Sequence, residues 1–252
     1  MPHILITNDD GIEAPGLRAL VQSLADLGEI SVVAPSHERS ASAQALTLRH
    51  PIYFDRVADR EWSVEGTPAD AMILALNKLL DPRPDLVVSG INRGGNMGEN
   101  VYYSGTVGAA MEGAVNGVAS VAISVAYRGK EFDYGPAARF ARRLAPLILK
   151  EGLPKGVLLN VNVPQPWNGH VRFTKQSGKI TRNLLKGGED PSGRKYYWLH
   201  EQEIKDPIDP GTDHAAVFSG AISITPLLLD HTHQPSLNHL SHWAKRLEDA
   251  ST

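Results

Sequence analysis

Short, unbroken apolar runs alternate with amphipathic stretches from residue 3 to residue 164. The runs are "HILITN", "EISVVAP", "PDLVVSGIN", "VASVAISVA" and "GVLLNVNVP"; between them stand "APGLRALVQSLADLG", "GTPADAMILALNKLL", "TVGAAMEGAVNG" and "YGPAARFARRLAPLILKEG". A strand that is apolar at successive positions must be covered on both faces, and helices lying between such strands supply the cover. The alternation therefore predicts a mostly parallel sheet in a three-layer α/β/α, Rossmann-like core. The helix ends agree. Pro15 stands near the start of the first helical stretch and Gly28 just past its end, as those two residues should. Thr67 can cap the second, Pro68 suits its first turn, and Asp70 complements the positive end of its dipole. Ligands of such folds gather beyond the carboxyl ends of the strands. That rule places "NDDG", "PSHERS" and "SGINRGGN" along one edge.

Beyond Pro164 the texture changes. "VRFTKQSGKITRNLLKGGEDPSGRKYYWLHEQE" is polar, with two expected strands around "KGGEDPSG", and reads as a long hairpin arm suited to exchange between subunits. "AVFSGAISITPLLL" returns to strand character, and "SLNHLSHWAKRLED" reads as a terminal helix. The expected organisation is a single domain over 1–252: a core of about 1–165, an arm of about 170–212, and a strand with its tail over about 213–252. The chain has no cysteine, which removes disulfides and thiolate metal sites and fits a reducing compartment. A net charge of -3 argues against a nucleic-acid polymer as partner. No apolar run reaches the roughly 18 to 20 residues that cross a bilayer. "MPHILITNDD" lacks a basic region followed by a long apolar stretch. The expectation is a cytoplasmic protein with no membrane partner.

The chemistry starts at the mouth of the first strand, where Asp9 and Asp10 are adjacent. Two carboxylates side by side repel unless a cation or a proton lies between them. Ser40 follows the second apolar run and Asn92 follows the third. Two carboxylates, a hydroxyl and an amide oxygen form a hard-oxygen set suited to Mg²⁺ or Mn²⁺, with water in the remaining positions. Each residue also has an ordinary role open to it. The aspartates can cap a turn or the following helix, Ser40 can cap a helix, and Asn92 can bond its own backbone. Ser104, Gly105 and Thr106 precede a helix of small residues. The free N–H groups of a helix N-terminus attract phosphate; a plain Ser/Thr cap is the alternative. His239 and His242 stand three apart near the end and could share a helix face as a second metal site, or be solvated surface residues.

The segments "ILITNDDGIEAPGL", "ERSAS", "GTPADA", "SGINRGGNMGENVYYSGTVGAAMEGA", "LNVNVP" and "TDHAAVFSGAISITPL" together resemble the SurE family of survival proteins, metal-dependent phosphatases of nucleoside monophosphates. They follow the family's order and span residues 4 to 227. The resemblance implies that Asp9, Asp10, Ser40 and Asn92 ligate one divalent cation per subunit, Mg²⁺ or Mn²⁺. It implies that Asn96 and the loop of Ser104, Gly105 and Thr106 face the phosphate. It also implies a homodimer or homotetramer built through the C-terminal arm. Ala41 departs from the glycine that the family often carries after the serine.

These parts suggest hydrolysis of a phosphate monoester; the resemblance implies nucleoside 5'-monophosphates as substrates, with 3'-monophosphates and short polyphosphate left open. Asp9 and Asp10 are the catalytic carboxylates, and one of them, Asp9 first, orients the attacking water or takes its proton. The main chemical rival is attack by Asp9 on phosphorus. Haloacid-dehalogenase-like phosphatases do this with a D-x-D spacing, whereas these carboxylates are adjacent. A nicotinamide-dependent oxidoreductase would place G-x-G-x-x-G after the first strand. A serine hydrolase of this class would carry G-x-S-x-G. The chain has neither. A non-catalytic, metal-dependent nucleotide sensor could use the same ligands, and phosphate release separates it from an enzyme.

Overall fold

The computed structural model describes residues 1–127, 129, 131–203 and 209–248. Residues 204–208 of the expected arm and 249–252 of the expected tail lie outside the described residues. Strand β1 (His3–Thr7) leads to helix α1 (Pro15–Leu24) and strand β2 (Glu29–Pro35). A small hairpin, β3 (Phe54–Ala58) and β4 (Glu61–Val64), precedes α2 (Pro68–Leu74), which runs on into a π-turn over Ala75–Leu79. Then come β5 (Leu86–Arg93), a 3₁₀ turn (Gly98–Tyr102), α3 (Gly105–Val115), β6 (Ala119–Ala126), α4 (Gly135–Glu151) and β7 (Val157–Pro164). The remainder holds β8 (Val171–Phe173), the arm strands β9 (Thr181–Glu189) and β10 (Lys195–Glu203), α5 (Asp213–Phe218), β11 (Ile222–Leu228), α6 (Gln234–Leu240) and α7 (Trp243–Glu248).

Among the described residues the main sheet has nine strands in the order β3-β4-β2-β1-β5-β6-β7-β11-β8. The strands from β4 to β7 run parallel; β3 is antiparallel to β4, and β11 to β7. Alternate residues of a strand serve opposite faces. Ile4, Ile6 and Val88 lie in one core with Leu17, Leu20 and Phe140 of α1 and α4. Leu5, Val33 and Val87 lie in the other, with Met72 of α2 and Ala109 of α3. The mostly parallel mixed sheet thus has helices on both faces, as the apolar runs predict. Thr67 caps α2 through a reciprocal box: its hydroxyl accepts from Asp70 N, and the Asp70 carboxylate accepts from Thr67 N. The same carboxylate accepts from Thr47 N at 2.9 Å, so Asp70 pins a loop as well as a helix end.

Three expectations change. "AVFSGAISITPLLL" is not strand from its start: α5 takes Asp213–Phe218, and β11 begins at Ile222. The Thr212 hydroxyl caps α5 by accepting from Ala215 N at 3.2 Å, and a cap outweighs weak strand propensity in so short a segment. The terminal helix is two helices, broken between Leu240 and Trp243. The β3–β4 hairpin has no apolar run to announce it, because β3 is an exposed edge strand.

Candidate active site

The residues "NDDG" close β1 with a turn built by Asn8. Its amide donates to Gly11 O at 2.8 Å and accepts from Gly11 N at 3.2 Å. Asn8 is fully buried, so this turn is part of the core and sends the next two side chains across the strand ends. Asp9 is 5 % exposed. Its Oδ1 accepts a short hydrogen bond from Thr106 Oγ1, and the Thr106 backbone bonds it too. Its own carbonyl accepts from Arg39 N at 2.7 Å, which anchors the loop after β2. The Asp10 Oδ2 accepts from Arg93 N at 3.2 Å at the end of β5. Neither aspartate caps α1, whose N-cap is Ala14 without a side-chain bond.

Asn92 reaches this edge through a distortion of β5. Gly90 pairs with Ile123 and Asn92 with Ser124, so Ile91 is an extra residue against β6. Such a bulge re-aims the side chains beyond it. Only glycine fits at position 90: φ is +132°, and a Cβ there would lie 2.3 Å from the Ile123 carbonyl oxygen. Asn92 Nδ2 donates to Gly94 O at 2.8 Å, which leaves its oxygen as the atom able to ligate. Ser40 sits in an open loop, where no helix follows for it to cap. Its hydroxyl donates to Glu38 Oε1 at 2.5 Å and keeps its lone pairs as acceptors.

Asp9, Asp10, Ser40, Asn92, Asn96 and Ser104 all line one cavity of 270 Å³. Ser104 caps α3 by accepting from Val107 N at 3.1 Å. Gly105 and Thr106 do not line the cavity; they stand behind its wall, against Asp9. Thr106 is fully buried. A Cβ on Gly105 would lie 2.8 Å from Asp9 Cβ and 2.6 Å from Ser42 Oγ, so α3 abuts the first aspartate with no room to spare. Asn96 is gripped through its backbone: its N–H donates to Asn162 Oδ1 at 2.7 Å, and its carbonyl accepts from Asn160 and Asn162. Its own side-chain N–H donates to Ser124 Oγ at 2.9 Å.

The two acids are short of water and crowded with negative charge. Burial raises the Asp9 carboxyl, and the bonds from Thr106 offset part of that rise. Burial, and then the charge of Asp9, push Asp10 up to about 6. Glu38 adds a further rise to both. Among the described residues no lysine or arginine side chain forms an ion pair with either aspartate. The Arg93 guanidinium lies over the Phe132 ring, 5.1 Å from its centroid, and its charge offsets a small part of the rise at Asp10. No third carboxylate or imidazole completes a metal-binding trio among the described residues. Ser40 and Asn92 bring neutral oxygens to the same cavity. This set fits Mg²⁺ or Mn²⁺, which favour carboxylate, carbonyl and water oxygen.

Pattern reading missed Glu38, which lies inside the quoted "PSHERS" yet has no spacing that marks it. It also missed Asn160 and Asn162. Two asparagines in an apolar strand are a usable cue, because buried amides need partners, and here the partner is Asn96. The histidines of the tail do not build a second site. His239 and His242 straddle the helix break with their rings 6.1 Å apart, and His242 Nδ1 is bonded to the His239 carbonyl at 2.7 Å.

Comparison with known proteins points to one family. The family model described as "Survival protein SurE" matches residues 4–183. A protein named 5'-nucleotidase SurE from Geobacter metallireducens is 44% identical over 243 residues, 95% of this chain and 96% of that protein. Another of that name, from Myxococcus xanthus, is 46% identical over 246 residues, 96% of this chain and 93% of its own length. The crystal structure of the SurE protein from Aquifex aeolicus superposes with a TM-score of 0.86 at 35% identity, covering 96% of this chain and 100% of that one.

Proposed function

Because this chain belongs to the SurE family of survival proteins, we propose that it is a divalent-cation-dependent phosphomonoesterase acting on nucleoside 5'-monophosphates. Nucleoside 3'-monophosphates and short polyphosphate are further substrates under the same proposal, and the cytoplasm is its place of action. The observation that carries the reading is the pair Asp9 and Asp10. They share one cavity with Ser40, Asn92, Asn96 and Ser104 and have no basic side chain as ion-pair partner among the described residues. The names of the Geobacter and Myxococcus relatives support the same activity.

Asp9, Asp10, Ser40 and Asn92 would hold one Mg²⁺ or Mn²⁺. When bound, such an ion supplies Lewis-acid charge neutralisation at a phosphoryl oxygen. The chain's own residues do the rest. Thr106 and the start of α3 fix the Asp9 carboxylate, so its geometry is set before substrate arrives. Asn160, Asn162 and Ser124 hold Asn96 on the wall where the phosphoryl group docks. Asp9, with Asp10 beside it, is placed to orient the attacking water and accept its proton through a carboxylate oxygen. Ser104 presents the N-terminal turn of α3 to the phosphate.

The test is phosphate release from a panel of phosphomonoesters, with Mg²⁺ or Mn²⁺ and with chelator. Turnover should need the cation. Asp9→Asn should lower kcat by about 10² to 10³ while keeping the fold. Near-normal turnover of Asp9→Asn at saturating cation would sink the proposal. Tight nucleotide binding without release would assign a sensor instead.

The arm supports a homodimer or homotetramer. Leu185, Tyr197, Trp198 and Leu199 are each more than 60 % exposed on a two-stranded ribbon. Such a ribbon is marginal in water on its own, and a second copy of the chain is the proposed cover.

A further inference from the structure

The cation cavity does not stand alone. A second cavity of 630 Å³ shares Gly95 and Asn100 with it, so the two are contiguous. Its chemistry differs. Its lining carries the rings of Tyr127, His214 and Phe218 and the hydrogen-bonding groups of Asn100, Gln165 and Thr181. No lysine or arginine stands among its described lining residues. A run of phosphates would be poorly held there, because buried anions need cationic or N–H partners. A flat heterocycle on a polyol suits such walls: rings stack against it, and amides and a hydroxyl read its edges.

The outer wall is made by the root of the arm. Ile180 and Thr181 line the cavity, and both are fastened by one carboxylate. Glu99 accepts from Ile180 N at 2.6 Å, from Thr181 N at 2.8 Å and from Thr181 Oγ1 at 2.7 Å. Glu99 belongs to the same 3₁₀ turn as Asn100, the residue shared by the two cavities. Asp213 ties the other side of this junction, accepting from Gly98 N at 3.1 Å and from Ser177 N and Oγ at 3.0 and 2.6 Å. We propose that the second cavity receives the nucleoside half of the substrate, and that Glu99 is the positioning residue that builds its outer wall from the arm root. This rests on the phosphomonoesterase reading of the adjoining site.

The experiment uses the full chain saturated with Mn²⁺, as wild type, Glu99→Gln and Phe218→Ala. Adenosine 5'-monophosphate is compared with glycerol 2-phosphate, an ester with no nucleoside, and adenosine binding is followed by calorimetry. Both variants should lower the preference for the nucleotide, as the ratio of kcat/KM values, by about tenfold, through KM rather than kcat, and weaken adenosine binding to match. An equal loss on both esters, or unchanged adenosine binding, overturns the proposal. Should Glu99→Gln fail to fold, Phe218→Ala, whose side chain is 73% exposed and carries little of the core, decides the cavity, and Thr181→Val, which removes one of the three Glu99 bonds, decides the wall: an unchanged ester preference in it overturns the role of Glu99. A wild type that releases phosphate from neither ester overturns the phosphomonoesterase reading itself. Adenosine binding then judges the cavity separately: lost in Phe218→Ala it stands, equal in all three proteins it falls.

Discussion

Asp9 is held by a residue 97 positions away, through both the hydroxyl and the backbone of Thr106. Thr106→Val keeps the shape of the side chain and removes the donor. Asp9 then keeps only the backbone bond from Thr106 and is held less firmly, and kcat should fall about 10- to 100-fold with a stability loss of about 1 kcal/mol, measured by steady-state kinetics and urea unfolding. Gly105→Ala tests the same contact from the other side: the added methyl must displace Asp9 or Ser42. Activity should drop more than stability. Asp10 yields a pH prediction. Its folded-state carboxyl lies near 6, above its ordinary value of 3.8, so the folded state binds more protons between those pH values. The Asp10 contribution to the stability of the cation-free protein therefore falls as pH rises through that window. Asp10→Asn removes the effect and should stabilise the cation-free protein at pH 8 by roughly 1–2 kcal/mol, solvent screening included, with no gain near pH 3. Urea unfolding in chelator at a series of pH values checks it. The acids themselves were legible from "NDDG"; the direction of Thr106 was not. A motif states which residue stands at a helix start, and only packing states whether its side chain meets solvent or a neighbour.

At the scale of elements, the loop after β2 and the bulge of β5 bring Ser40 and Asn92 to the acids. Ala41 adopts φ +56° and Ala43 φ +49°, the left-handed region that a Cβ disfavours. Ala41→Gly should therefore stabilise the chain by about 1 kcal/mol in urea unfolding. The main strands and helices from β1 to β7 were readable because each buries a continuous or periodic apolar surface that local pattern reports. The β3–β4 hairpin and α5 were not. The first is an edge whose residues are mostly solvent-facing, and the second is a six-residue helix held by its cap and its neighbours rather than by an apolar stripe. The bulge at Ile91 was also hidden, since one extra residue in a strand leaves no mark on composition.

At the scale of the whole molecule, the arm projects apolar side chains from both of its strands: Leu185 of β9 is 67% exposed and Trp198 of β10 is 64% exposed. Leu185→Glu combined with Trp198→Glu should shift the sedimentation coefficient from that of an oligomer to that of a monomer, with the core still folded; a wild type that already sediments as a monomer would refute the assembly proposed here. The alternation of apolar runs determined by itself that this chain makes a helix-covered, mostly parallel sheet, and it determined which strand ends carry the acids. Those properties follow from the periodicities of a single backbone, which neighbouring residues express without help. Tertiary structure alone decided that Thr106 turns to Asp9, that Glu38 holds Ser40, that Asn160 and Asn162 grip Asn96, and that Glu99 fastens the arm beside the cavity. Each of these is a hydrogen bond whose partner is chosen by distance and direction in the folded chain, and no local repeat encodes either.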